Sequence, residues 1–187
     1  PAEFAGAEAT VRGLLARQPL GLPCLTATGG ARRQDSVASG LNALPREAST
    51  VLVHDAARPF LGVDLMARLA DALAGGAKAV IPGLKVADTI KAVDAEGRVT
   101  GTPERAALRA VQTPQGFDLS LLRAAHARAV TEGWDVTDDA MLVERLGEAV
   151  LVIEGEPDNV KITTPEDLRL LARGDAMTAA PVTVTGF

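Results

Sequence analysis

The sequence predicts an α/β fold, a doubly wound and mostly parallel sheet with a protruding β-hairpin arm, on three observations. Apolar positions switch repeatedly between strand and helix periods, with short connections between them. Two strand segments, Val51-Leu52-Val53 and Ala79-Val80-Ile81, are continuous apolar runs, as expected of strands covered on both faces. Between residues 84 and 110 the rhythm breaks into a polar stretch centred on a turn. The 187 residues suit one domain, with 47% hydrophobic and 23% charged residues, the balance of a soluble globular chain. Aromatics make up only 3%, so the core must be built from Ala, Val, Leu and Ile.

The elements follow in order. Phe4, Ala7, Val11, Leu14 and Leu15 fall on one helical stripe. Cys24 to Thr28 is read as a short apolar strand ended by Gly29-Gly30. Val37, Leu41 and Leu44 mark a helix face, and Val51–Val53 the next strand. Leu65, Met66, Leu69 and Leu73 give a helix that stops at Gly75-Gly76, and Ala79–Ile81 a strand stopped by Pro82. Val86, Ile90 and Val93, then the turn Asp94-Ala95-Glu96-Gly97 and pairing resumed near Val99, make the arm. Ala110-Val111 returns to the sheet. Leu119, Leu122, Ala125, Ala129 and Val130 form a helix. Thr137 is placed as the cap of another through Met141, Leu142 and Leu146. Val150–Ile153 is a strand, and Asn159–Thr163 a late strand carrying Lys161. Thr164-Pro165-Glu166-Asp167 is a helix start, with Thr as cap and Pro at the first position. One domain over residues 1–173, with the arm at about 84–108 and a flexible tail at 174–187, is the expected organisation.

Composition narrows the function. The net charge of -5 argues against a general nucleic-acid binder. No apolar run approaches the roughly 18 residues of a membrane span. Cys24 is the one cysteine, which excludes an intrachain disulfide and suits a reducing cytoplasm. Residues 1–20 carry no basic segment followed by an apolar one, so no secretory signal is expected, and Pro1 is not read as the translation start.

In an open sheet the residues after each strand are the ones to examine for chemistry. Gly29-Gly30-Ala31-Arg32-Arg33-Gln34-Asp35-Ser36 offers backbone that a flat ligand can approach, with Arg33 and Ser36 at a helix start; it also reads as an ordinary capped turn. His54-Asp55-Ala56-Ala57-Arg58-Pro59 sets a hard oxygen donor for Mg²⁺ beside an anion clamp, or an ion pair at a strand end. His54 is expected to pack, and His126 to lie on the helix surface. Gln112–Phe117 reads as a polar, bent segment. Lys161, between Val160 and Ile162, either snorkels at an edge or points into a site. Trp134 is undecided between core and surface. Neither a Ser–His–Asp triad nor a Gly-rich dinucleotide or P-loop fingerprint is present.

Six segments in order resemble one family: Gly29-Gly30 with Arg33-x-x-Ser36-Val37; Val53-His54-Asp55-Ala56-Ala57-Arg58-Pro59; Asp88-Thr89-Ile90-Lys91; Gln112-Thr113-Pro114-Gln115-Gly116-Phe117; Thr137-Asp138-Asp139-Ala140; and Asn159-Val160-Lys161-Ile162-Thr163-Thr164-Pro165-Glu166-Asp167-Leu168. The chain resembles the 2-C-methyl-D-erythritol 4-phosphate cytidylyltransferases of the non-mevalonate isoprenoid pathway, over about residues 1–173. Ribitol-phosphate cytidylyltransferases share most of these motifs. The resemblance implies a Rossmann-like nucleotidyltransferase fold and a homodimer made through the arm. It implies cytidylyl transfer from CTP to methylerythritol phosphate with Mg²⁺ or another divalent cation. By the same resemblance Gly30, Ala31 and Ser36 hold the cytosine, with Arg33 supporting that loop. Asp55 ligates the metal and orients the nucleotide, Ala56 offers its backbone near the ribose or phosphate, and Lys161 meets the α-phosphate. Arg58, Thr113 and Thr137 take the acceptor, and Thr89 and Arg105 reach the acceptor phosphate in the other subunit. One departure stands out. The family opens with a Gly-rich triphosphate loop, A-A-G-x-G-x-R followed by Pro-Lys, and nothing here matches it. The resemblance places that βαβ unit, on the order of 50 residues, before residue 1. A chain lacking it is expected either to belong to a longer enzyme or to be an inactive nucleotide-binding or dimerisation fragment.

Overall fold

A computed structural model describes Gly13 and residues 24–171. Among these, helix α1 (Arg33–Ala43) leads to strand β1 (Thr50–Val53), helix α2 (Val63–Ala74) and strand β2 (Ala79–Lys85). The arm strands β3 (Ala92–Val93) and β4 (Val99–Gly101) follow, then a 3₁₀ turn at Arg105–Ala107 and the returning strands β5 (Arg109–Val111) and β6 (Gln115–Asp118). Helices α3 (Leu119–Glu132) and α4 (Asp139–Arg145), strand β7 (Leu151–Glu154) and the single turn α5 (Leu168–Leu171) complete it.

β2 is the spine of the five-stranded sheet. One edge takes β6 at Ala79 and Val80 and β5 at Gly83–Lys85; the other takes β7 at Val80–Gly83. β1 lies beyond β6. β1, β2 and β7 share one direction, whereas β5 and β6 run against them, so the sheet is mixed. The reversal follows from the arm, because a chain that leaves β2 as a hairpin comes back antiparallel. Pro82 does not stop β2, contrary to the reading of the sequence. It sits where the ladder changes partner from β6 to β5, so its missing N–H costs no rung, and its carbonyl accepts from the Gln112 N–H at 2.8 Å.

Successive residues of β2 face opposite layers, and the core divides accordingly. Ala79 joins Val53, Phe117, Val37, Leu41, Leu122, Ala125, Leu142 and Val143 under α1, α3 and α4. Val80 joins Leu61, Leu65 and Leu69 under α2. Each fully buried Leu or Phe contributes about 1.5–3 kcal/mol by leaving water. Trp134 packs at the margin of the first cluster, with the Arg145 guanidinium 5.5 Å from its ring centre. Helix α2 stops at Gly75-Gly76 as expected, with Gly76 at φ +102°. Asp118 caps α3, its carboxylate accepting from the Leu121 N–H at 2.9 Å.

The arm stands off the main sheet as its own two-stranded ribbon. Its turn closes through Asp94, which accepts from the Glu96 and Arg98 N–H groups, with Gly97 at φ +80°. Ile90, Val93 and Val99 on it are exposed.

Several expectations are corrected. Cys24–Thr28 is not a strand, since no strand among the described residues lies beside it to form a ladder. Asn159–Thr163 is an extended loop rather than a strand; its Ile162 N–H donates to the Ala57 carbonyl. Part of Gln112–Phe117 is strand β6. Asp138, not Thr137, caps α4, accepting from the Met141 N–H at 3.0 Å. Val130 faces solvent. Thr164–Asp167 forms a reciprocal turn in which Asp167 accepts from the Thr163 and Thr164 N–H groups, but helix geometry begins only at Leu168. The helix expected over Phe4–Leu15 and the tail at 174–187 lie outside the described residues.

Candidate active site

The cleft opens where β1 ends and β5 gives way to β6, and it is filled from chain segments far apart in sequence. After Val53 the chain turns through Asp55–Arg58, closed by the Arg58 N–H on the Asp55 carbonyl at 2.9 Å. That turn presents Asp55 and Arg58. The segment joining β5 to β6 presents Gln112 and Thr113, with a cis Thr113–Pro114 bond, and the start of β6 presents Gln115. The N-terminal end of α1 presents Arg33, the approach to α4 presents Thr137 and Asp138, and the loop after β7 presents Lys161. Together they enclose a cleft of about 170 Å³.

Asp55 is the centre of its charge. Its Oδ2 lies 2.9 Å from Lys161 Nζ, and its Oδ1 lies 3.4 Å from Arg33 Nε. The Asp55 N–H donates to Thr113 Oγ1 at 3.0 Å, which fixes the start of the turn. Burial alone pushes the Asp55 carboxyl up, but Lys161 and Arg33 outweigh it and hold it below the usual carboxylate range. Arg33 is pulled down by burial and more than restored by Asp139 and Asp55. Arg58 is lowered by burial, which the Asp55 charge only partly offsets. Its Nη1 donates to the Asn159 carbonyl at 2.7 Å, while its Nε is buried without a hydrogen-bond partner. A half-buried cation on the cleft wall is suited to an anionic or hydroxylated ligand.

Six of the expected residues therefore meet in one place: Arg33, Asp55, Arg58, Thr113, Thr137 and Lys161. Gly30 and Ala31 lie in the approach to α1 and Ser36 in its first turn, none of the three on the cleft wall. The Gly30 N–H donates to Ser36 Oγ at 3.0 Å, and a Cβ at Gly30 would collide with Asp35, so this turn requires glycine. Ala56 is exposed on the Asp55–Arg58 turn. Thr89 and Arg105 are on the arm, both exposed and away from the cleft walls of their own chain. Arg105 Nη1 donates to the Ala87 carbonyl at 2.6 Å and ties down the arm's base.

Other polar residues complete the surroundings of the cleft. His54 packs as expected, with Nε2 on the Arg58 carbonyl at 2.9 Å and Nδ1 beside Thr113 Oγ1 at 3.1 Å. Burial holds its pKa below the ordinary imidazole value despite those bonds. His126 is not a surface residue. It is buried, 3.0 Å from the Asp139 carboxylate, which in turn lies 2.7 Å from Arg33 Nη1. The signal was present in the sequence, because His126 falls on the same helical stripe as Leu119, Leu122 and Ala129. Gln112 spans the loop after β7, donating to the Glu156 and Asn159 carbonyls and accepting from the Glu156 N–H. Asn159 Nδ2 donates to the Thr113 carbonyl at 2.8 Å.

The donor set suits a hard cation in one way only. Both oxygens of Asp138 are engaged, by the Met141 N–H and by Gln115 Nε2. Both Asp55 oxygens are engaged too, but by the charged ends of Lys161 and Arg33, which substrate phosphates can draw away, whereas Asp138 is held as a helix cap; no group of three or more His, Cys, Asp or Glu that could hold a metal ion gathers among the described residues. A single carboxylate fits Mg²⁺, which takes its remaining ligands from substrate phosphates and water.

An α/β sheet covered on both faces, with a cationic cleft at its strand ends, is an architecture of the Rossmann-like kind that binds nucleotides and other phosphates. Within it, the chain belongs to the 2-C-methyl-D-erythritol 4-phosphate cytidylyltransferase family, whose model matches residues 11–174. It is 58% identical over all 187 residues to a bifunctional enzyme IspD/IspF of Solidesulfovibrio magneticus, covering 46% of that protein. It is 51% identical over 173 residues to the 2-C-methyl-D-erythritol 4-phosphate cytidylyltransferase of Thermosynechococcus vestitus, 92% of this chain and 72% of that one. Among solved structures, the Thermus thermophilus cytidylyltransferase matches with a TM-score of 0.69 and 48% identity over 78% of this chain and 71% of its own. The Anaerococcus prevotii 4-diphosphocytidyl-2C-methyl-D-erythritol synthase matches with a TM-score of 0.81 and 34% identity over 89% and 73%. The chain thus spans about half the length of the bifunctional relative. No helix among the described residues is long and apolar enough to cross a membrane.

Proposed function

We propose that the protein carrying this chain transfers a cytidylyl group from CTP to 2-C-methyl-D-erythritol 4-phosphate. The products are 4-diphosphocytidyl-2-C-methyl-D-erythritol and pyrophosphate. The observation that carries this reading is the Lys161–Asp55–Arg33 cluster beside Arg58 and Thr113, in a chain of this family. The acceptor's phosphate monoester is already anionic at neutral pH. Its oxygen forms the new bond to the α-phosphorus as the bond to the β-phosphate oxygen breaks and pyrophosphate leaves. No general base is needed, which agrees with a cleft rich in cations and free of an exposed histidine. The requirement is in-line placement and neutralisation of charge.

In this reading Lys161 moves from Asp55 to the α-phosphate, and Arg58, Thr113 and Thr137 hold the acceptor. Gly30, Ala31 and Ser36 receive the cytosine, and Ala56 offers its backbone near the ribose. Asp55 holds Mg²⁺, which supplies further charge neutralisation on the nucleotide when bound. Thr89 and Arg105, which do not line their own cleft, serve that of a second copy across the arm. The exposed Ile90, Val93 and Val99 support such a homodimer. A cytoplasmic location accords with the lone Cys24. The test is pyrophosphate release from CTP by the complete protein, with 2-C-methyl-D-erythritol 4-phosphate and ribitol 5-phosphate compared in competition. The expected result is a higher kcat/KM for the first. No release with it, or a preference for the pentitol, overturns the reading.

A further inference from the structure

Asp139 is a buried carboxylate, 1% exposed, that the proposed chemistry does not use. It is too deep to meet a substrate, and it does not line the cleft. Yet it makes the shortest contact to Arg33, which does line it: 2.7 Å from Oδ2 to Nη1, against 3.4 Å from Arg33 Nε to Asp55. The other oxygen of Asp139 lies 3.0 Å from His126 Nε2. The guanidinium is therefore held from behind, and Asp55 keeps its closer partner in Lys161 at 2.9 Å.

We infer that Asp139, seated by His126, is a positioning residue that tethers Arg33 and so keeps Asp55 paired with Lys161. The physical argument is competition for one guanidinium. An arginine fork pairs with a carboxylate in a two-bond geometry whenever it can reach one. Without Asp139 the nearest carboxylate to Arg33 is Asp55. Arg33 then closes on Asp55, neutralises it, and displaces Lys161 from its resting place. Asp139 does not line the cleft, so the cost falls on turnover and, through Arg33 and Asp55, on the nucleotide, while the acceptor groups Arg58, Thr113 and Thr137 are untouched. This inference rests on the cytidylyltransferase reading for its kinetic test, but not for its structural one.

The kinetic test uses the complete protein, CTP and 2-C-methyl-D-erythritol 4-phosphate. Asp139→Asn keeps the volume and removes the charge. It is expected to lower kcat by about 10- to 100-fold, the scale of a misplaced group, with the KM for 2-C-methyl-D-erythritol 4-phosphate within about threefold. Because Asp139 acts through Arg33, Asp139→Asn combined with Arg33→Gln is expected to lose no more than Arg33→Gln alone. His126→Gln, which keeps a donor, is expected to stay near wild type, whereas His126→Leu follows Asp139→Asn; this pair decides the matter if Asp139→Asn does not fold. Additive losses in the double variant, or an unchanged kcat in Asp139→Asn or His126→Leu, overturn the inference. A second readout needs no turnover. In ¹⁵N spectra the Arg33 Nη1–H protons that face Asp139 should exchange slowly with water in the wild type, and His126→Leu should speed that exchange; an unchanged rate also overturns the tether. If the wild type releases no pyrophosphate, the proposed function falls while the exchange measurement still decides the role of Asp139.

Discussion

Replacing Lys161 by alanine separates what holds this cleft together from what it does. In the free protein, Lys161 contributes one contact, 2.9 Å to Asp55, from a side chain that is 41% exposed. An ion pair that open to water is screened, so its loss should cost about 1 kcal/mol or less of stability. Asp55 does not become an isolated charge, because Arg33 stays at 3.4 Å and the Thr113 hydroxyl still fixes the backbone of the turn. For a domain of this size that cost lowers Tm by only about 2–4 °C. In the transition state the same amine is asked to meet charge developing on the α-phosphate. Removing one such preorganised donor costs about 2.7–4 kcal/mol, or 10²- to 10³-fold in kcat. The assay is steady-state pyrophosphate release, run beside a thermal melt of the same sample. A kcat within about threefold of wild type, below what any transition-state contact is worth, refutes the role of Lys161. So does a loss of activity that tracks a fall in folded protein.

Three further predictions follow from burial and charge. His54 is held below its ordinary pKa by burial, so folding favours its neutral form: that contribution is complete above about pH 6.5 and is lost as pH falls through the lowered folded value. His54→Gln should therefore flatten the dependence of urea-unfolding midpoints on pH below that point, and an unchanged slope would exclude His54 as its source. Phe117→Ala, at a side chain with no exposure at the centre of the larger core, should destabilise by about 3–5 kcal/mol, against less than about 0.5 for the solvent-facing Val130→Ala; denaturant unfolding that ranks them equally would contradict the packing described. If the complete protein sediments as the proposed dimer, Val93→Asp alone should shift it toward monomer, since that side chain is exposed on the arm; an unchanged sedimentation coefficient argues against an arm-mediated dimer.

Why some of this was legible in the sequence and some was not is a matter of range. Asp55 and Arg58 could be read because they share a four-residue turn directly after an apolar strand. The arm could be read because Asp94–Gly97 is a turn on its own chemistry. The helices α1, α2 and α3 follow from periodicity alone. The segments at 24–28 and 159–163 have strand-like composition, but a strand exists only beside a partner, and composition does not supply one. Pro82 looked like a stop because proline lacks an N–H, and only the change of partner along β2 shows that no N–H was needed there. The Arg33–Asp139 pair spans 106 positions, so no local pattern announces it. His126 is the instructive case: its place on the buried stripe of α3 was visible, and its polarity argued against taking the stripe at face value.

The spacing of those contacts has a consequence for reading any variant of this protein. Arg33 meets Asp139 across 106 positions, and Arg58 meets Asn159 across 101. Loops of that length are entropically expensive to close, and closing one shortens the path that closes the other. The cleft therefore depends on the whole sheet that brings these distant segments together. A substitution deep in the core can then lower the number of competent molecules while leaving each surviving cleft intact. In kinetics that looks like a fall in kcat at constant KM, the same signature as a lost chemical contact, and an active-site titration is what tells the two apart.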